Sequence, residues 1–181
     1  LQLKLDAALD PLQFFVKADA FHDHLADKAD GELREGYIDY GAARWDARLG
    51  RQVLTWGVGD LVFINDVFPK DYEAFFAGRP LEYLKKGIDG LRLGAYPDVV
   101  SLEFVLIPLF EPNQYPESGR FWLFDPLPGV TARTTREPDE APGKGEIAVR
   151  AYRRLSDFDA ALYAYRGFSR QPAMVVDSPV L

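Results

Sequence analysis

Eight separate segments of this 181-residue chain alternate apolar and polar residues with a period of two. That period is the signature of half-buried β-strands, because successive side chains of a strand point to opposite faces. In Leu1 to Leu9, Leu1, Leu3, Leu5, Ala7 and Leu9 share one face, and Gln2, Lys4 and Asp6 share the other. Phe14 to Phe21 repeats the pattern, with Phe14, Val16, Ala18 and Ala20 opposite Lys17 and Asp19. Leu33 to Tyr40 sets Gly36, Ile38 and Tyr40 against Glu35, Tyr37 and Asp39; Trp45 to Gln52 sets Trp45, Ala47 and Leu49 against Asp46 and Arg48. Ile88 to Tyr96, Val100 to Phe110, Glu146 to Tyr152 and Phe158 to Arg166 supply four more strands. No comparably long amphipathic helix interrupts them.

The connections alternate as well. Asp10-Pro11, Gly41 to Arg44, Pro97-Asp98 and Arg153 to Asp157 are short, whereas His22 to Glu32, residues 57–87 and residues 111–145 are longer. This places tight turns at one end of a sheet and long loops at the other, as in up-and-down transmembrane barrels. A soluble sandwich with Greek-key crossings has no reason for that regularity. Phe14, Tyr40, Trp45 and Phe158 lie near the tight turns on the apolar face, where a membrane interface would place an aromatic girdle. The fold expected is therefore all-β: an antiparallel up-and-down transmembrane β-barrel, read as one domain over residues 1–181. About eight strands fall in this chain. Leu1 opens inside an alternating segment and Pro172 to Leu181 trail off without a strand, so the chain is expected to be an internal piece of a larger barrel.

Composition removes several alternatives. No run approaches the ~20 apolar residues of a membrane helix, a test that barrel strands escape because they alternate. The net charge of −7 argues against a nucleic-acid partner. Cysteine is absent, which excludes disulfide frameworks, thiolate metal sites and cysteine nucleophiles. The two histidines, His22 and His24, are weak candidates for a metal site, since neither a third histidine nor an EF-hand spacing accompanies them. Gly57-Val58-Gly59 lacks the third glycine of a dinucleotide fingerprint, and no Gly-Xaa-Ser-Xaa-Gly occurs. Asp39 and Asp46 could be imagined as an acid–base pair, but they flank a short turn on a face rich in charges. The reading is of a non-enzyme without cofactors.

The polar face is the functional surface the pattern suggests. Lys4, Lys17, Asp19, Glu35, Asp39, Asp46, Arg48, Arg92, Glu103, Arg150 and Tyr163 share it and are expected to line a lumen. They would either set the selectivity of a water-filled pore or pair to fill the interior. Arg51 breaks the parity, and leaving it toward lipid would cost about 2 to 4 kcal/mol near the midplane. A β-bulge at Gly50-Arg51 is therefore expected to swing it to the polar face, toward Glu35 or Asp39, and to turn Leu54 and Trp56 outward. In the first long loop, Pro69 to Gly78 reads as a short helix with Tyr72, Phe75 and Phe76 on one side, capping the mouth or folded inward as a constriction. Asp66, Asp71 and Phe75 are its candidate pore residues. In the second, the apolar run Phe121 to Phe124, with Trp122, is expected to contact lipid, plug the pore or bind a hydrophobic solute.

The run Leu33-Arg34-Glu35-Gly36-Tyr37-Ile38-Asp39-Tyr40, the run Trp45 to Gln52 and Trp56-Gly57 together resemble a proteobacterial family of poorly characterised outer-membrane barrels. That family is grouped with alginate-export-like porins, and some members are encoded near exporters of hydrophobic compounds. Asn65 to Asp71 is similar to a loop motif of the family, with Phe68-Pro69 where Asn-Pro is usual; the resemblance is best over residues 33–110. It implies a Gram-negative outer-membrane channel or transport component in contact with lipid, passing small hydrophobic or weakly acidic molecules, with a periplasmic or exporter partner. A non-conducting scaffold barrel and a soluble β-sandwich or lipocalin-like binding module are the alternatives.

Overall fold

The computed structural model describes residues 1–23, 27–56, 66–116, 134–139, 141 and 143–173. Its strands are β1 Gln2–Leu9, β2 Leu12–Asp23, β3 Lys28–Gly41, β4 Trp45–Gln52, β5 Ile88–Ala95, β6 Ser101–Ile107, β7 Glu146–Leu155 and β8 Phe158–Arg166. All eight form one antiparallel sheet in sequence order, each strand paired with the next. Among the described residues no ladder joins β1 to β8, so the sheet is not closed on itself.

The register carries the sequence parity across the whole sheet. Leu9, Leu12, Tyr40, Ala47, Leu93, Phe104, Val149 and Ala164 are successive partners from β1 to β8. Ala7, Phe14, Ile38, Leu49, Leu91, Leu106 and Ile147 form the neighbouring row. A slip of one residue in any pair would have broken these rows, which is why a sharply two-sided pattern specifies register. The burial of the two faces is the reverse of a soluble sheet. Leu49, Phe158 and Leu162 are 61%, 76% and 78% exposed, whereas Gln52 and Glu146 on the polar face are 0% exposed. The apolar face is bare, and the charged face is covered over its middle strands, while β1 is exposed on both faces.

The cover is the β4–β5 connection. Leu54 and Trp56 leave the end of β4 and turn back onto the polar face, where they pack with Phe68, Ile88, Val105, Ile107 and Ala148. Trp56 meets Phe68 edge-on at 5.1 Å and Tyr163 at 5.7 Å. Leu54 and Trp56 are therefore buried, in contrast to the outward orientation expected from a bulge. The helix α1, Tyr72–Phe76, is shorter than Pro69 to Gly78 because Asp71 caps it, accepting from the Ala74 N–H at 2.8 Å. Gly78, at φ 71°, ends it in the left-handed region that glycine adopts without strain. A 3-10 turn, Leu81–Leu84, follows.

Several strand boundaries and the expected bulge depart from the sequence reading. The polar stretch His22 to Glu32 is not a long loop: residues 28–32 pair with residues 19–23, so only residues 24–27 connect the strands. Polarity did not end the ladder, because a hairpin protruding from the sheet needs no apolar face to keep its backbone bonds. Strand β6 stops at Ile107, before Pro108, which has no N–H to give a ladder. Strand β7 runs on to Leu155 instead of Tyr152, tightening its turn to Ser156-Asp157. The register is also unbroken through Gly50, which pairs with Tyr37 on one side and Gly90 on the other. The irregularity lies instead between Lys17 and Ala18, whose partners Glu35 and Leu33 leave Arg34 as the extra residue of β3.

Candidate functional site

A belt of charges crosses the covered face from β3 to β7. Asp39 and Arg48 are cross-strand partners, and the guanidinium donates to both carboxylate oxygens at 2.8 and 2.7 Å while lying 3.9 Å over the Tyr37 ring. Arg92 donates to Asp46 at 3.0 Å, to Glu103 at 3.3 Å and to the Tyr96 hydroxyl at 3.1 Å. Glu103 is also held by the Trp56 Nε1–H, and Arg150 stands 3.7 Å from it. Three arginines therefore alternate with three carboxylates. The belt is nearly self-neutral, so most of its charge is spent on holding the face together.

The outer strands of the face reach the cover. Lys17 pairs with Glu82 at 3.0 Å, and Asp19 lies 3.9 Å from Arg79 and accepts from Gln2 at 3.1 Å. Glu35 accepts from the Val53 N–H at 3.3 Å, Lys4 lies 5.3 Å from the centre of the Phe15 ring, and the Tyr163 hydroxyl donates to the Trp56 carbonyl at 3.4 Å. Eleven of the twelve side chains proposed for a lumen thus share one face. Arg51 is the exception: it keeps the parity of Trp45 and Leu49. It contacts neither Glu35 nor Asp39; it pairs with Asp89 at 2.8 Å, donates to the Leu33 carbonyl at 2.9 Å and lies 4.0 Å from Glu111. A carboxylate in the same row removed the penalty that a bulge was expected to relieve.

At the loop end, three buried groups were invisible to periodicity. Arg170, beyond β8, pairs with Glu146 and donates to the carbonyls of Val67 at 2.6 Å and Glu111 at 3.1 Å and to the Tyr165 hydroxyl at 2.8 Å. One guanidinium thus ties both long connections to the sheet. Arg34, the extra residue in β3, donates to the carbonyls of Glu82 at 2.9 Å and Lys85 at 3.1 Å and stacks over Tyr83. Lys70 pairs with the buried Asp66 at 2.9 Å. Burial lowers the Lys70 ammonium below the ordinary lysine value, with Asp66 opposing the shift. Burial likewise raises Asp71 above the usual carboxylate value, against the helix N–H that it caps. Phe75, by contrast, is exposed on α1.

An open cavity of about 460 Å³ lies toward the short-turn end of the face, between the β5–β6 turn and β7–β8. A smaller one of about 260 Å³ lies beside Asp66, Lys70 and Arg170. His22 pairs with Asp27 at 3.3 Å, and the described residues contain no cluster of three or more His, Asp or Glu side chains suited to a metal. His24 and Trp122 lie outside the described residues. The chain matches no family model and no curated protein.

Proposed function

We propose that this chain is part of an outer-membrane β-barrel through which small hydrophobic or weakly acidic molecules pass. The observation that carries the reading is the inversion of the sheet: apolar rows interrupted near one end by the Arg51–Asp89 pair lie bare, and the middle of the charged face is packed under the β4–β5 connection. In water that arrangement leaves the apolar surface of eight strands uncovered, at a cost of roughly 25 cal/mol for each Å². Against hydrocarbon the same surface is solvated, while the covered face keeps its ion pairs from lipid. Strand lengths of 7 to 14 residues bracket the ~9 to 11 that a tilted membrane strand needs. Tyr40 and Trp45, stacked at 5.0 Å on the exposed face, fit an interfacial aromatic girdle.

The inward-folded β4–β5 connection favours a second reading, a closed scaffold barrel, because Trp56 and Phe68 occupy space that a wide pore would leave to water. Two measurements separate the possibilities. The full-length protein should be monodisperse only in detergent or lipid; a monodisperse species in detergent-free buffer would end the membrane reading. Planar-bilayer recordings should then give discrete current steps, and an ion-tight protein would favour the scaffold.

A further inference from the structure

We infer that the cavity toward the short-turn end binds an aromatic monocarboxylate. The inference gives a substrate class to the proposed channel and depends on that reading for its role in transport; the binding site itself is local to Trp56, the β5–β6 turn, β7 and β8. At about 460 Å³ the cavity falls within the ~300 to 1,000 Å³ usual for small-molecule sites. Trp56, Tyr152, Tyr163 and Val99 supply apolar wall, and Arg150 and Arg154 supply cations. Counting the rim, Arg150, Arg153 and Arg154 stand against Asp98 and Asp159, and Asp98 already faces Arg44 at 3.6 Å. The lining thus carries one more arginine than carboxylates, with Asp159 the register partner of Arg154, in a chain whose net charge is −7.

Arg150 identifies the acceptor. Its guanidinium stacks 4.3 Å from the Tyr152 ring centre and lies 5.9 Å from that of Trp56, so its face is occupied and its in-plane donors remain for a ligand. Its Nε is buried and has no hydrogen-bond partner in the protein. The nearest carboxylate, Glu103, stands 3.7 Å from Nη2, beyond hydrogen-bond range, and is already held by Arg92 and Trp56. The Arg150 side chain is 21% exposed and lines the cavity, where a ligand carboxylate would meet the open part of the guanidinium through charge-assisted hydrogen bonds. Three aromatic side chains around the same space favour an aromatic body over a bare inorganic anion.

The test uses 2-naphthoate as the probe, titrated calorimetrically into the full chain folded in detergent micelles, with 2-naphthylmethanol as the uncharged control. Saturable naphthoate binding is expected, with the alcohol at least about tenfold weaker. Arg150→Gln should weaken naphthoate roughly tenfold and leave the alcohol unchanged. Tyr152→Leu, which spares every ion pair, should weaken both probes severalfold, and it keeps the inference testable if Arg150→Gln folds poorly. Equal affinity for acid and alcohol, or unaltered naphthoate affinity in both variants, would overturn the site and leave only partition into the micelle. Bilayer current without naphthoate binding would sink this inference and spare the channel. Naphthoate binding that depends on Arg150, in a protein that passes no current, would do the reverse.

Discussion

Removing Arg170 should loosen both long connections at once. Its side chain is 6% exposed and that of its partner Glu146 is 0% exposed, so Arg170→Met leaves a carboxylate in the interior with only the Tyr165 hydroxyl and the Phe168 N–H as donors. Stranding one member of a buried pair in this way typically costs about 3 to 5 kcal/mol. The carbonyls of Val67 and Glu111 also lose a charged donor, but both belong to connections that can turn toward water, so little should be added for them. Urea titration of the detergent-folded protein, followed by tryptophan fluorescence, would give the total. Hydrogen exchange should quicken in residues 66–71 and 111–116 before the strands respond. The double variant Glu146→Leu with Arg170→Met should recover most of the loss, because a matched apolar pair leaves no bare charge. A cost under about 1 kcal/mol for Arg170→Met, or single substitutions that simply add in the double variant, would refute this coupling.

Gly50→Ala should destabilise the sheet by at least the ~1 to 3 kcal/mol of a strained backbone, since φ is +124° and a Cβ would clash with the Gly36 carbonyl oxygen; the urea midpoint checks it. Trp56→Ala should cost about 3 to 5 kcal/mol through the cavity it leaves, and should raise single-channel conductance if the proposed pore runs beside it. Asp89→Asn should cost under about 1 kcal/mol, because the Arg51–Asp89 pair is only partly buried, and a larger loss by urea titration would mean that it stands in hydrocarbon. Asp71 tests the pH sign. Its folded value is raised, so its contribution to stability is full below the unfolded value of 3.8 and is lost as pH climbs through the folded one. Asp71→Asn keeps a capping oxygen without the charge, so its stability relative to the parent should improve between pH 4 and pH 7; an unchanged difference in urea midpoints would refute the cause assigned.

What the sequence disclosed was what local pattern can encode. The strands were legible because two-residue alternation is read within one segment, and matched parity then aligned the rows of neighbouring strands. The polar-face residues Asp39, Asp46, Arg48, Arg92, Glu103 and Arg150 were found by the same rule, but which of them pair was not, since partners on adjacent strands depend on register and rotamer. The Arg51 expectation failed because a carboxylate was available in its own row. Asp89 carries the parity of Leu91 and Leu93, and aligning β4 against β5 would have placed a carboxylate beside the guanidinium without any bulge. Trp56, Phe68 and Arg170 gave no such opportunity. They lie outside the periodic segments, and Arg170 meets Val67 across a sequence separation of 103 residues.

Those three residues change what the covered face can do. Had the β4–β5 connection stayed outside the sheet, the belt from Asp39 to Arg150 would have lined an open surface and its charges would have governed any passing ion. With Trp56 and Phe68 packed against Val105, Ile107 and Ala148, the loop half of the face is filled by apolar contacts and buried pairs. The short-turn half keeps the larger cavity and the arginine edge with no acceptor of its own. Trp56 belongs to both halves: its ring packs in the filled one and borders the cavity in the other, and its indole N–H holds Glu103 between Arg92 and Arg150. A solute entering from the short-turn end would therefore meet the cavity first and the Trp56 ring next. Displacing that ring would take a donor from Glu103 and alter the electrostatics at Arg150. Under the proposed function, Trp56 would be the contact that the charged belt and the inward-packed part of the connection share.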